Sequence, residues 1–142
     1  MKNIFVILLI LITMVYVKET KAQVPDTLAY IQSVVANKAQ FIGQPFSVLM
    51  DSLKIQIKFF SPFAAIPHDK NKETSTSFSF YFPQDGLEDF FLTYPKLEVI
   101  WQTPLNATLC DALWEANNGG GWTSTVAAFY ANGIVADIKV RD

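Results

Sequence analysis

Residues 76–82 read TSFSFYF, and this stretch decides the fold class because large apolar side chains alternate along it with smaller or polar ones. Phenylalanine occupies positions 78, 80 and 82, while serine or tyrosine occupies the positions between. Successive side chains of a strand point to opposite faces of a sheet, so a period of two gives one apolar and one polar face. The stretch therefore predicts a strand with one face in the core.

Two further segments, residues 54–60 and 96–102, alternate in the same way. Their apolar positions are Ile55, Ile57, Phe59, Leu97, Val99 and Trp101. Residues 61–75, between the first two strands, combine prolines with a charged run, which predicts a surface loop. Near the C-terminus, residues 123–130 and 134–140 resemble strands, and Asn132-Gly133 predicts a type I′ turn because both residues tolerate positive φ. The sequence thus predicts about five strands ending in a β-hairpin.

Three segments have the 3.6-residue periodicity of helices. Residues 26–42 carry an apolar stripe, with Asp26 as N-cap and Gly43 as the stop. Pro45 fits the first turn of a second helix to about residue 53. Thr103-Pro104 begins a third, which the glycines at positions 119–121 follow. Together these elements predict an α+β, two-layer domain: two N-terminal helices and one later helix packed on a mainly antiparallel sheet.

Residues 1–22 predict a secretory signal peptide. Lys2 precedes an apolar run over residues 4–17, and Thr20 and Ala22 are the small residues before the predicted cut. The run is shorter than the ~20 residues that span a membrane, and Gln23 rather than cysteine follows the cut, so no lipid anchor is expected. We expect residues 23–142 to form a single domain in the bacterial periplasm or outside the cell, without membrane insertion. An uncleaved N-terminal anchor is the alternative.

The charge of the mature chain argues against polyanionic partners. The whole sequence has a formal net charge of −2. Removing residues 1–22 takes away three lysines and one glutamate, which leaves about −4. An acidic chain without a cluster of basic residues is poorly suited to nucleic acid or to an anionic membrane, because both bind through neutralised phosphates. We therefore expect no nucleic-acid partner.

No stretch forms a complete catalytic, cofactor or metal motif. Cys110 and His68 are the sole pair that could supply a nucleophile and a base, but Asp111 beside the thiol disfavours a thiolate. Residues 69–73 begin as a calcium loop does, yet Thr74 stands where the loop needs glycine. The three glycines at 119–121 lack the Lys-Ser/Thr of a phosphate loop. The sequence predicts no enzyme activity, no cofactor and no metal.

The aromatic residues are the strongest functional candidates, because phenylalanine, tyrosine and tryptophan make up 14% of the chain. Exposed aromatic rings stack on sugars or anchor protein contacts. The candidate partner-binding residues are Phe90, Phe91, Tyr94, Trp101, Trp114 and Trp122. They predict a non-enzymatic binding module for an envelope protein or a glycan. Three alternatives stay open: core positions for Trp101 and Trp114, a hydrolase that uses carboxylates in a sheet cleft, and a structural homodimer paired through its aromatic face.

Overall fold

The computed structural model describes residues 26–63, 69–81 and 95–141, which form four α-helices and one four-stranded sheet. In chain order the elements are α1 Thr27–Ala36, a 3₁₀ turn Lys38–Gln40, α2 Phe46–Ser52, β1 Phe59–Phe63, β2 Lys72–Ser79, β3 Lys96–Asn106, α3 Ala107–Ala116, α4 Ser124–Tyr130 and β4 Val135–Arg141. The strand order is β1-β2-β3-β4, and every neighbouring pair is antiparallel. The predicted α+β class is confirmed.

The predicted signal peptide at residues 1–22 lies outside the described residues. Within the described ranges, every helix is too short or too polar to cross a membrane.

The first helix begins where the sequence predicts and ends earlier. Asp26 Oδ1 accepts a hydrogen bond from the Ala29 N–H (2.9 Å), which satisfies one of the donors that a helix start leaves unpaired. At the other end the Asn37 side-chain amide donates to the Ser33 carbonyl (2.8 Å). The chain then tightens into the 3₁₀ turn, so the helix does not continue to Ile42.

Pairing of β2 with β3 and of β3 with β4 defines the face of the sheet that forms the core. Phe78 lies opposite Leu97, and Val99 lies opposite Ile138. All four side chains are fully buried. Trp101 continues the same face of β3 at 3% exposure, so the predicted burial of alternate residues along 96–102 is confirmed.

The pairing of β2 with β3 is irregular beside Glu73. Ser75 pairs with Ile100 and Glu73 with Leu105, so four residues of β3 lie opposite one residue of β2. Residues three apart in a regular strand point to opposite faces, and this regular alternation is not kept here. Glu73 and Thr76 are both buried, and the Glu73 carboxyl accepts a hydrogen bond from the Thr76 hydroxyl.

Several predicted element boundaries are wrong. Residues 54–58 precede the ladder, which begins at Phe59. Of the predicted loop over 61–75, residues 61–63 belong to β1 and residues 72–75 to β2, while residues 64–68 lie outside the described residues. Thr103-Pro104 lies inside β3 rather than at a helix start. The α3 N-cap is Asn106, whose side-chain oxygen accepts from the Leu109 N–H (3.0 Å).

The predicted C-terminal hairpin is wrong, because α4 stands where its first strand was expected. The Thr123 hydroxyl accepts from the Val126 N–H (3.4 Å) and caps this helix. Val126 and Tyr130, four positions apart, are fully buried, while Ala128 between them is exposed, which is helical rather than strand spacing. Within the described ranges the sheet therefore has four strands instead of five, and four helices are present instead of the predicted two N-terminal helices and one later helix.

Gly133 serves a purpose other than the predicted turn. Its N–H donates to the Tyr130 carbonyl (3.0 Å) at the end of α4. A Cβ at this position would lie 2.9 Å from the indole of Trp101, closer than side-chain carbons pack. Glycine is required here because the backbone passes directly over the Trp101 ring.

The helical assignment of α4 can be tested at Ala128, which is exposed in the middle of that helix. Valine disfavours helices and favours strands relative to leucine. We expect Ala128→Val to be less stable than Ala128→Leu by about 0.5 kcal/mol in urea unfolding. A more stable valine variant would contradict the helix and restore the strand.

Candidate functional site

An open groove of about 250 Å³ lies between the segment that enters β1 and the turn that follows α3. The residues that line it are Gln56, Ile57, Lys58, Ala116, Asn117, Asn118, Gly121, Trp122 and Thr123. Three of them carry side-chain amides and one an indole. None of the described lining residues is acidic. The groove thus offers hydrogen-bonding groups beside one aromatic ring.

The first wall of the groove is an extended segment with alternating burial. Ile57 is 5% exposed, whereas Gln56 is exposed and Lys58 half-buried. The Lys58 ammonium donates to Gln56 Oε1 (2.8 Å), which brings both polar side chains to one side. The Lys58 N–H donates to the Ser79 carbonyl (2.8 Å), and its carbonyl accepts from the Trp122 N–H (3.1 Å). Backbone hydrogen bonds therefore fix this wall on both sides.

The second wall is the C-terminal end of α3. The Asn117 amide nitrogen donates to the Leu113 carbonyl (2.8 Å), and its Oδ1 accepts from the Thr123 hydroxyl (3.0 Å). The Gly121 N–H donates to the Asn117 carbonyl (2.7 Å). Asn118 has φ +55° and is exposed. Asn117 thus holds the turn in place, while Asn118 offers its amide to the solvent side.

Gly120 allows this turn to pair with the edge of the sheet. Its φ is +111°, and its carbonyl accepts from the Phe60 N–H (2.9 Å). A Cβ at Gly120 would collide with the Phe60 carbonyl oxygen. The glycines at 119–121 therefore form a fixed backbone contact with the edge of the sheet.

Trp122 joins the groove to the core. The side chain is half-buried. Its ring contacts Phe78 edge to face (5.5 Å between centroids) and Phe60 in the same manner (6.2 Å). The Tyr130 ring lies beside it, nearly parallel, at 6.4 Å. These contacts hold the indole in one orientation, so the groove wall is rigid before any ligand arrives.

The other predicted binding residues have different positions. Trp101 belongs to the core, where its Nε1 donates to the Thr76 hydroxyl (2.9 Å), so its ring does not form an exposed aromatic face. Trp114 is half-buried and packs under Gly119, with a Cβ at that glycine meeting the indole at 3.4 Å. The remaining three candidates, Phe90, Phe91 and Tyr94, lie outside the described residues. Trp122 is the described candidate that lines the groove.

Sequence reasoning missed the polar residues of the groove. Gln56 and Lys58 lie between the apolar residues of a predicted strand, and Asn117-Asn118 follow a predicted helix, so neither pair stands out as a site. Their polarity was visible in the sequence. Their proximity was not, because about 60 positions separate the two walls along the chain.

A buried polar cluster lies within the core, where Glu73, Thr76 and Tyr130 meet. Glu73 is 1% exposed. Its Oε1 accepts from the Thr76 hydroxyl and from the Tyr130 hydroxyl (3.4 Å). Its Oε2 has no hydrogen-bond partner among the described residues. Such an atom costs about 1–3 kcal/mol when it is desolvated, so a neutral carboxyl suits this position better than a carboxylate.

The electrostatics of this cluster favour protonated groups. Burial raises the pKa of Glu73 above its usual range, although the neighbouring Cys110, Thr76 and Tyr130 oppose the shift. Burial and the adjacent Glu73 raise the pKa of the Cys110 thiol and that of the Tyr130 hydroxyl. Cys110 is fully buried, and its thiol stays protonated, which is the opposite of what a cysteine nucleophile needs.

The charged run at residues 69–73 does not assemble as a cation loop. Glu73 belongs to the core cluster described above. Asp69 Oδ2 pairs with the Lys72 ammonium (3.0 Å), and this partner lowers the pKa of Asp69. The Asn71 N–H donates to Asp69 Oδ1 (3.2 Å). The oxygens of Asp69 therefore point to its neighbours.

Comparison of the chain with known protein families, with characterised proteins and with solved structures gives no match.

Glu73 predicts a pH dependence of folding stability. The folded state keeps the Glu73 proton at pH values where the unfolded chain, with the ordinary pKa of 4.5, has lost it. Its contribution to stability is complete below pH 4.5 and is lost as the pH rises towards the folded pKa. We expect the free energy of unfolding to fall over the range above about pH 5, with a slope of at most ~1.4 kcal/mol per pH unit from this group. Urea unfolding across that range measures it.

The Glu73→Gln variant should lose this slope, because its amide does not titrate. Glu115→Gln, at an exposed position of α3, is the matched control and should keep the slope. An unchanged pH dependence in Glu73→Gln would show that another group carries it.

Proposed function

We propose that this chain is an exported, non-enzymatic binding module whose binding site is the groove beside Trp122. The observation that carries the proposal is the combination of a half-buried indole, held by Phe60, Phe78 and Tyr130, with side-chain amides on both walls. Fixed aromatic and hydrogen-bonding groups around a concave surface are what ligand sites require. Because the groove is formed before binding, little ordering entropy opposes association.

The chemistry of the groove supports binding over catalysis. Amides and hydroxyls donate and accept hydrogen bonds, but at neutral pH they do not exchange protons with a substrate. The hydrolase alternative needs two carboxylates facing one cleft. The described lining residues supply neither. Glu73, the buried carboxyl, is separated from solvent and bonds to core side chains.

The proposed location follows from residues 1–22, whose short apolar run and small residues before the cut are typical of a secretory signal. In the periplasm or outside the cell, an envelope protein or a glycan is an available partner. The acidic charge of about −4 after cleavage fits neither nucleic acid nor an anionic membrane surface.

The proposal is tested by filling the groove from its rim. Ala116 lines the groove and is exposed at the end of α3, while Ala112, one turn earlier, is exposed but does not line it. Ala116→Gln adds bulk inside the groove with a residue that helices accept, and Ala112→Gln is its matched control. The ¹⁵N-labelled protein is titrated with peptide and carbohydrate fractions of extracellular material, and amide shifts are followed by NMR.

We expect one fraction to shift the amides of residues 56–58 and 121–123 in the parent protein and in Ala112→Gln, with apparent affinity at least about tenfold weaker in Ala116→Gln. Shifts that map away from the groove, or equal binding by both variants, would contradict the proposal.

A further inference from the structure

We propose that the groove binds a neutral saccharide, with a sugar ring against Trp122 and its hydroxyls on the amides of Gln56 and Asn118. This inference rests on the proposed function, since it names the ligand class of the same groove.

The size of the groove suits a single ring. Its volume of about 250 Å³ is below the ~300–1,000 Å³ of sites that enclose drug-sized ligands. The groove is also open to solvent, so a longer chain can extend beyond the bound ring. One sugar unit of a glycan meets both conditions, whereas a bulky folded surface cannot enter.

The available polar groups match hydroxyls. A side-chain amide carries hydrogen-bond donors and an acceptor side by side, and a sugar hydroxyl can likewise donate and accept. Asn117 is already occupied by Leu113 and Thr123. Asn118 and the Gln56 amide nitrogen are exposed and make no hydrogen bond to another described residue. These two amides, one on each wall, are therefore the recognition groups, and a sugar ring is the group that presents hydroxyls to both sides.

Trp122 supplies the apolar half of the recognition. A sugar ring has one face of C–H groups, and an indole is a large, flat apolar surface with a polar N–H. The contacts with Phe60, Phe78 and Tyr130 hold the indole, so no side-chain ordering opposes stacking. A peptide side chain would find few other apolar partners here, since Ile57 is 5% exposed and Ala116 is small.

The charge of the protein favours a neutral sugar over an acidic one. The predicted mature chain carries about −4, which repels anionic polymers at long range. The charged lining residue, Lys58, has its ammonium held on Gln56 Oε1 at 2.8 Å. A ligand without charge avoids both the repulsion and the displacement of that contact.

The experiment titrates the ¹⁵N-labelled protein with glucose, mannose, galactose, N-acetylglucosamine and their β-linked disaccharides, with glucuronate and a pool of short peptides alongside. Amide and side-chain NH₂ signals are followed by NMR, and tryptophan emission is recorded in parallel. We expect at least one neutral sugar to shift the signals of residues 56–58 and 117–123. Glucuronate should bind more weakly than the corresponding neutral sugar.

Two variants test the recognition groups without disturbing the fold. Gln56→Ala removes an exposed amide, and Asn118→Gly removes another while glycine tolerates the φ of +55°. Each should weaken sugar binding about threefold to tenfold, the effect of losing one hydrogen bond. Gln32→Ala, at an exposed position of α1, is the matched control and should bind as the parent does.

The outcomes separate the two proposals. Peptides that shift the groove while sugars do not would overturn the saccharide inference and leave the groove as a binding site. Tighter binding of glucuronate than of neutral sugars, or unchanged sugar binding in both amide variants, would also overturn the inference. If neither sugars nor peptides bind at the groove, both the saccharide inference and the proposed function are wrong.

Discussion

The contacts of Tyr130 hold the structure together. Its ring stacks on Trp101 (5.7 Å between centroids, 20° between planes) and meets Phe60 and Phe78 edge to face at 5.6 and 5.7 Å. Its hydroxyl bonds to Glu73 (3.4 Å). Each such ring pair contributes about 0.5–1.5 kcal/mol beyond the burial of its surface. Because Tyr130 is the last residue of α4, these contacts with β1, β2 and β3 fix a helix of seven residues, too short to be stable by itself.

The position of α4 explains both the groove and the buried carboxyl. Trp122 lies directly before Thr123, the N-cap of α4. The contacts that hold Tyr130 therefore also place the Trp122 indole at the groove. The Tyr130 hydroxyl also contacts Glu73, whose burial raises the pKa of its carboxyl. That side chain lies beside the irregular pairing of β2 with β3. A carboxyl in such a place reduces stability, and the hydrogen bonds from Thr76 and Tyr130 offset part of that cost.

Sequence patterns predicted those elements whose structure depends on neighbouring residues alone. Residues 96–102 alternate regularly, and their apolar face is buried as expected. The strand prediction for residues 123–130 was wrong. Threonine, valine, phenylalanine and tyrosine favour strands, but the ring contacts of Tyr130 with the sheet stabilise a helix here. The turn prediction at Asn132-Gly133 was wrong because the glycine allows the backbone to approach the Trp101 ring closely. The groove joins segments about 60 positions apart, and no local pattern reports such a meeting.

The groove and the protection of the sheet edge have one structural origin. β1 is an edge strand, and exposed edges invite pairing with other chains. Pro62 has no N–H to offer within this strand, and the Phe60 N–H donates to the Gly120 carbonyl, so it is not available to another chain. The same turn carries Asn118 and Trp122, which both line the groove. Backbone hydrogen bonds hold the walls, and the ring contacts of Trp122 place its indole before a ligand arrives.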